Sequence, residues 1–217
     1  MKQPRPFPSI CGALVAILAI AAAPEHPAIA QYRAYVAAVR SGDEKALLKL
    51  AAPVSKDNQP VQLAHIKCMI AMEQLRKETV AQLGPIDYVK DDGWMGTGVL
   101  PDEMIKDLKA SEYKGLAGII AKNPETGQMD LTVAIMKNVN GTWQFPFGID
   151  PYIDGEEKNG ELLKEPKGDE RDAMLQELNS QTKAAPVVIK RLQNKEFKSR
   201  AEVLSALTEL SSAARRE

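Results

Sequence analysis

An acidic pair followed by an aromatic residue is the segment of this chain best suited to bind a ligand. Asp91 and Asp92 precede Gly93, and Trp94 follows directly. Two carboxylates beside an indole at the mouth of a cavity could bind a sugar or a cation, or supply a general base. Asp-Gly is also ordinary turn chemistry, and the Trp could belong to a core. We take Asp91, Asp92 and Trp94 as candidate binding residues and assign no catalytic residue.

Histidine and cysteine are too scarce for most metal and nucleophile chemistry. After residue 30 the chain has one histidine, His65, and one cysteine, Cys68. A His-rich metal site is excluded, and a Ser-His-Asp triad would have to use His65. Both residues lie on or beside the apolar stripe of a predicted helix, which favours a structural His65 and a buried Cys68. No metal-ligand spacing or nucleotide-binding motif occurs, so the sequence predicts neither a metal nor a cofactor.

The first 30 residues are typical of a secretory signal peptide. Lys2 and Arg5 give a positive start, and residues 10–23 form an uncharged, mostly apolar run. That run is long enough for a signal core but short for a membrane span, which needs about 20 residues. The sequence therefore predicts an exported protein, periplasmic or extracellular.

Cleavage is predicted after Ala30. Ala28 and Ala30 put small residues at the two positions that signal peptidase reads, so the mature chain would begin at Gln31. A cut after Ala23 is disfavoured because Pro24 would follow it. An uncleaved N-terminal anchor is the remaining alternative. After cleavage no stable membrane anchor is expected, because no later segment is apolar enough to span a bilayer.

The charge balance argues against nucleic acid and anionic membranes as main partners. The chain carries a net charge of −1, and removal of residues 1–30 would leave −2. Proteins that bind polyanions generally carry a basic excess. A small molecule or a protein therefore remains as partner, and a homodimer stays open, through Cys68 or through C-terminal helices that dock on a second copy.

The elements that must position these residues begin with helices. A helical pattern over residues 31–52 breaks at Ser41-Gly42-Asp43, where Ser41 or Asp43 could cap a second piece. A longer helix is predicted over residues 60–83, because apolar residues recur there at three- and four-residue spacing.

Turns and extended segments dominate the middle of the chain. After a predicted short helix over residues 101–110, three strands are expected over residues 114–122, 129–137 and 142–147. Asn140-Gly141 is the strongest hairpin signal, because both residues tolerate the positive φ of a type I′ turn. The last strand places three alternating aromatic residues on one face, which favours a sheet core: Trp143, Phe145 and Phe147.

The C-terminal third differs in composition. Residues 154–168 are acidic and contain glycine, which indicates a solvated linker. Helices are predicted over residues 169–182, from Pro186 onward, and after a capping box at Ser199 to Glu202. We therefore predict four parts: a signal peptide (1–30), an α+β domain (31–153), an acidic linker (154–168) and a helical C-terminal extension (169–217).

Two stretches resemble the NTF2-like, cone-shaped α+β superfamily. Residues 35–47 read YVAAVRSGDEKAL, similar to the opening helix of exported NTF2-like domains and its small-residue break. Residues 140–145 read NGTWQF, similar to their terminal hairpin. The resemblance covers about residues 31–150 and implies N-terminal helices packed on a curved antiparallel sheet.

Fold alone assigns little function, since this superfamily includes isomerases, dehydratases and non-catalytic binding modules. The chain combines a pocket-forming architecture with no assembled catalytic set, so the leading expectation is an exported, non-catalytic module that binds a small molecule or a protein partner. One alternative is an isomerase- or hydratase-type enzyme that uses a carboxylate inside the cone. Another is an interaction protein that docks through its C-terminal helices.

Overall fold

The structure combines helices with an antiparallel sheet, which confirms the predicted α+β class. The computed structural model describes residues 25–86, 99–151 and 163–216. Its helices are α1 (Pro27–Ser41), α2 (Glu44–Leu50), α3 (Gln59–Leu83), α4 (Asp102–Ile105), α5 (Asp169–Gln193) and α6 (Arg200–Ala214), with a 3-10 turn at Lys56–Asn58. No helix in this described part of the chain is both long and apolar enough to cross a membrane.

The strands form one meander and one short ribbon. The meander has the order β1 (Lys109–Tyr113), β2 (Leu116–Lys122), β3 (Met129–Val139) and β4 (Thr142–Gln144), all antiparallel. The ribbon pairs β5 (Asp150–Pro151) with β6 (Leu163–Lys164). Within the meander each strand pairs with its neighbour in sequence.

The predicted break between the first two helices is present. Gly42 ends α1 in the left-handed conformation with φ of 71°. Asp43 then caps α2, because its side chain accepts a hydrogen bond of 2.9 Å from the backbone N–H of Ala46. This cap turns the chain so that Leu47 of α2 joins the buried face of α1, which includes Val36 and Val39.

The sheet turns on two tight hairpins, of which the sequence predicted one. Asn140 and Gly141 have φ of 52° and 85°, as a type I′ turn requires, and the Asn-Gly prediction is confirmed. Lys114 and Gly115 make the same turn between β1 and β2, with φ of 47° and 78°. Lys is a rare residue at such a position, so this hairpin left no signal in the sequence.

Two predicted element boundaries are wrong for tertiary reasons. The helix expected to end at residue 110 stops at Ile105, because Ala110 already belongs to β1 and pairs with the buried Ile119. The strand expected to end at residue 147 stops at Gln144. Beyond it, Phe145 pairs with the end of α2, donating to the carbonyl of Leu50 at 2.8 Å.

An aromatic cluster fills the space between the sheet and the helices. The ring centroids of Tyr35 and Phe145 lie 4.4 Å apart, and those of Phe145 and Phe147 lie 5.4 Å apart. Trp143 is also buried, so all three alternating aromatic residues belong to the core, as predicted. Such offset contacts add to the hydrophobic stabilisation from burial.

The C-terminal helices dock on α3. Sγ of Cys68 lies 3.3 Å from Oε1 of Gln181, and Glu78 accepts a hydrogen bond of 3.4 Å from Gln193, so α3 and α5 run parallel. A second cluster of buried residues joins these helices to α6: Ala71, Leu75, Ala184, Ala185, Val188, Leu192, Phe197, Val203, Ala206 and Leu207. The domain boundary at residue 153 stays a prediction. The surface on which the C-terminal extension docks is helix α3.

The helix break predicted at Pro186 is absent. Pro186 lies inside α5, which continues to Gln193. A proline there removes one backbone hydrogen bond and crowds the carbonyl of Thr182. Burial of Ala185 and Val188 against α3 offsets this cost, so tertiary packing overrides the local signal.

We expect Pro186→Ala to raise the free energy of unfolding by about 1–3 kcal/mol, because alanine restores the missing hydrogen bond in an exposed helix position. Urea denaturation would measure the change. Val187→Ala, at the exposed neighbouring position, is the matched control and should change stability by less than about 0.5 kcal/mol. A destabilised Pro186→Ala protein would show that the proline ring itself contributes packing.

Cys68 is buried in the α3–α5 interface, as its place in the apolar stripe predicted. Burial raises the pKa of its thiol to about 11, so the reactive thiolate is scarce at neutral pH. We expect a thiol reagent to modify Cys68 slowly in a native chain that lacks Cys11, and quickly once urea unfolds it. Complete native labelling within seconds would contradict this burial.

Candidate functional site

A groove of about 870 Å³ opens beside the β1–β2 hairpin. Four parts of the chain line it: the turn before α3, the β1–β2 turn with the start of β2, the end of β3, and the segment that leads from β6 into α5. The lining residues that matter most here are Ser55, Asn58, Lys114, Lys137, Glu165 and Lys167. The groove therefore lies where segments from four distant stretches of sequence meet.

The sheet delivers two lysines to this groove. Lys114 occupies the tight turn, and its Nζ lies 5.2 Å from the ring centroid of Tyr113. Lys137 lies opposite Leu116 in the β2–β3 register. Since Met136 faces the core, alternation along β3 turns Lys137 toward the other face of the sheet, where it is exposed.

Glu165 connects the α5 side of the groove to the α3 side. Its carboxylate accepts hydrogen bonds from Oγ of Ser55 at 2.5 Å, from the Ser55 backbone N–H at 3.1 Å, and from Nδ2 of Asn58 at 2.6 Å. Burial alone would raise the pKa of this carboxyl, but these donors, with the charge of Lys137, hold it below its ordinary value. Glu165 is therefore an ionised carboxylate at neutral pH, and it connects the segment before α5 to the turn before α3.

Both long parallel helices begin at the groove. The N-cap residues of α3 and α5 are Asn58 and Gly168; the Asn58 side chain makes no capping hydrogen bond to α3, and Gly168 has no side chain that could cap α5. The N-terminus of a helix carries partial positive charge, and here two such ends lie on one side of the groove. Acidic residues in the first turn of α5 oppose this charge: Asp169, Glu170 and Asp172.

The side chains that line the groove are predominantly basic. Five bases and two acids line it: Lys114, Lys137, Lys164, Lys167 and Arg171 against Asp57 and Glu165. Once the acids that pair with Lys164 and Arg171 are counted, five bases face four acids, which leaves an excess of +1. Lys164 contacts Glu170 at 3.5 Å, and Arg171 contacts Asp172 at 3.1 Å. Within the described ranges, neither Lys137 nor Lys167 forms an ion pair at contact distance, although Lys137 acts on Glu165 from farther away, so the ammonium groups of both lysines can bind a ligand.

His65 has a structural role rather than a place in the groove. Its Nδ1 accepts a hydrogen bond of 2.9 Å from the backbone N–H of Gly148, and its ring meets Phe147 edge-on. Gly148 has φ of 71°, and a Cβ there would lie 3.1 Å from the backbone of Gln62, so only glycine fits this approach. Burial lowers the pKa of His65, which keeps the imidazole neutral at neutral pH.

A buried carboxylate that sequence reasoning missed belongs to the helical interior. Glu73 is 1% exposed and accepts two hydrogen bonds from the guanidinium of Arg76, at 2.6 and 2.8 Å. This bidentate pair satisfies both oxygens. Glu73 does not line the groove. No cluster of three or more His, Cys, Asp or Glu side chains suited to a metal occurs among residues 25–86, 99–151 and 163–216.

The candidate binding residues from the sequence, Asp91, Asp92 and Trp94, lie outside the described residues, so that prediction stands as it was made. The groove was not predicted. Glu165 and Lys167 fell in the segment interpreted as a solvated linker, and no local pattern indicates that Glu165 contacts Ser55 and Asn58.

Compared with models of known families, with curated proteins and with solved structures, the chain matches none of them. The candidate site therefore rests on its own geometry and charge.

Replacement of Glu165 tests whether its carboxylate orders the groove. A carboxyl whose pKa is depressed in the folded state stabilises the fold above its unfolded pKa, and that stabilisation is lost as the pH falls through the folded value. We therefore expect Glu165→Gln to lower the urea midpoint at pH 7, with a difference from the parent that shrinks below about pH 4.5.

Glu103→Gln, which removes an exposed carboxylate of α4, is the matched control because it leaves the Ser55–Asn58–Glu165 cluster intact. Equal urea midpoints for Glu165→Gln and the parent at pH 7 would show that the cluster contributes nothing to stability.

Proposed function

We propose that the protein is an exported, non-catalytic module that binds an anionic ligand in the basic groove. The ligand is a small molecule or an acidic segment of a protein partner. The observation that carries this proposal is the charge of the groove, where Lys137 and Lys167 remain without an ion pair in the described chain. Carboxylate or phosphate groups are the natural counterparts of such lysines.

The size and shape of the groove support a ligand of this kind. Its volume of about 870 Å³ lies within the range of about 300–1,000 Å³ typical of small-molecule sites. The two helix N-termini add backbone donors to the groove, and Lys137 and Lys167 add positive charge. The contact of Glu165 supports this proposal, because a carboxylate of the chain already accepts hydrogen bonds from the Ser55–Asn58 turn.

The described interior supports a module rather than an enzyme of the isomerase or hydratase type. Such an enzyme would need a carboxylate free to take a proton inside the cone. The space between the sheet and α1 is instead filled by Tyr35, Phe145 and Phe147. Glu73 is bound to Arg76 on both oxygens, and Glu165 accepts hydrogen bonds from three donors.

Packing of the C-terminal helices argues against the alternative of an interaction protein that docks through these helices. The apolar stripe of α6, with Val203 and Leu207, is buried against its neighbours and is not free to dock on a partner.

We also propose membership of the NTF2-like superfamily, since helices pack here on one face of an antiparallel meander.

Calorimetric titration at low salt tests the anion site. The probes are citrate, inorganic pyrophosphate and a short poly-glutamate peptide, with a neutral sugar as the negative control. We expect at least one anionic probe to bind, and Lys137→Gln/Lys167→Gln to weaken it about 5- to 30-fold, as for two ion pairs of about 0.5–1 kcal/mol each. Binding should also weaken as the salt concentration rises.

The matched control is Lys183→Gln/Lys190→Gln, which removes two exposed positive charges from α5 outside the groove. It should bind like the parent chain. Failure of all three anions to bind, or equal weakening by both double variants, would refute the proposed site. Preference for the peptide over citrate and pyrophosphate would favour a protein partner over a small molecule.

A further inference from the structure

The residues just before the predicted mature N-terminus are part of the folded core. Helix α1 begins at Pro27, four residues before Gln31. Ala28 is fully buried and Ile29 is 5% exposed, and both belong to the same core cluster as Tyr32 and Trp143. A cut after Ala30 would remove the first turn of this helix from the mature protein.

Side chains ahead of that turn also contact the domain. Nδ1 of His26 accepts a hydrogen bond of 3.2 Å from the backbone N–H of Ala28, which caps α1. Nε2 of His26 lies 2.5 Å from Oε1 of Glu112 in β1, and its ring lies 5.7 Å from that of Trp143. Residues 25–30 therefore connect α1 to both edges of the meander.

Electrostatics at the helix start favour the same conclusion. Glu25 pairs with Arg33 at 2.6 Å, which places a negative charge near the positive end of α1. A chain that starts at Gln31 would instead carry a protonated α-amino group beside the buried Tyr32. A positive charge at a helix N-terminus is unfavourable, so the cut after Ala30 would remove one stabilising charge and add a destabilising one.

A second site in the leader has the required residue types. Ala19 and Ala21 occupy the two positions that signal peptidase reads, and Ala22 would follow the cut, which avoids Pro24 at that place. The apolar run of residues 10–18 before it has the length of a signal core, about 7–15 residues.

We propose that signal peptidase hydrolyses the Ala21–Ala22 bond, so that residues 25–30 remain as the first turn and cap of the mature domain. One water is consumed, which leaves a carboxylate on Ala21 and a free α-amino group on Ala22. The inference rests on the proposed export. Cleavage occurs before folding, so burial of Ile29 bears on the stability of the product and not on access to the bond.

Intact mass and N-terminal sequencing of the full chain, expressed in a host that exports it, test the site. We expect Ala22 as the first residue of the exported protein. Gln31 as the first residue would overturn the processing site and leave export standing. A chain kept in the cytoplasm with Met1 or Lys2 intact would refute the export proposal, and with it the site.

Thermal unfolding of purified chains tests the structural reason independently of export. We expect the chain that starts at Gln31 to melt about 10 °C or more below the chain that starts at Ala22, or not to fold at all. Within the longer chain, Ile29→Ala should lower the melting temperature clearly, while Ala30→Ser, at an exposed position of the same turn, should leave it nearly unchanged. Equal melting temperatures for the two chains would overturn the inference.

Discussion

Helix α3 is the element on which the rest of the structure depends, because it is buried on two sides. Ile66 and Met69 face the core shared with α1 and the sheet, while Ala71 and Leu75 face α5 and α6. A helix buried this way leaves few positions for polar side chains, and the one deeply buried carboxylate, Glu73, is neutralised by Arg76 within the same helix. The sheet with α1 on one side and the C-terminal helices on the other are thus packed against the same helix, α3.

The position of the groove follows from the parallel packing of α5 on α3. Parallel packing brings two N-termini to the same end, where their partial positive charges repel one another. Negative charges offset this repulsion: the carboxylate of Glu165 binds the Ser55–Asn58 turn, and acidic residues lie in the first turn of α5. The strand ends then add Lys114 and Lys137 to a place already rich in donors. The proposed preference for anions would in this sense follow from helix direction as well as from lysine placement.

Sequence patterns correctly predicted the features that depend on interactions between residues close together in the chain. The Asp43 cap, the Asn140-Gly141 turn and the α3 stripe each depend on residues a few positions apart, and each prediction is confirmed. The failures depend on partners far away in the chain. The hairpin at Lys114 persists because β1 and β2 pack against α1, and the helix continues through Pro186 because α5 packs against α3. The groove belongs to this second class, since Glu165 meets Ser55 across 110 positions.

The net charge of the chain excludes fewer kinds of ligand than it first suggests. A net charge of −1 argues against a polyanion as the main partner, but basic residues that are scattered in sequence can still line one groove, as Lys114, Lys137 and Lys167 do. Because screening limits the reach of such a field to about 10 Å at 0.1 M salt, it acts only on groups that enter the groove. A ligand of the proposed kind would therefore present its negative charge on a small body or a narrow segment, and a broad polyanion would gain little. Compact anions and acidic peptides are for this reason the ligands that suit the proposed site.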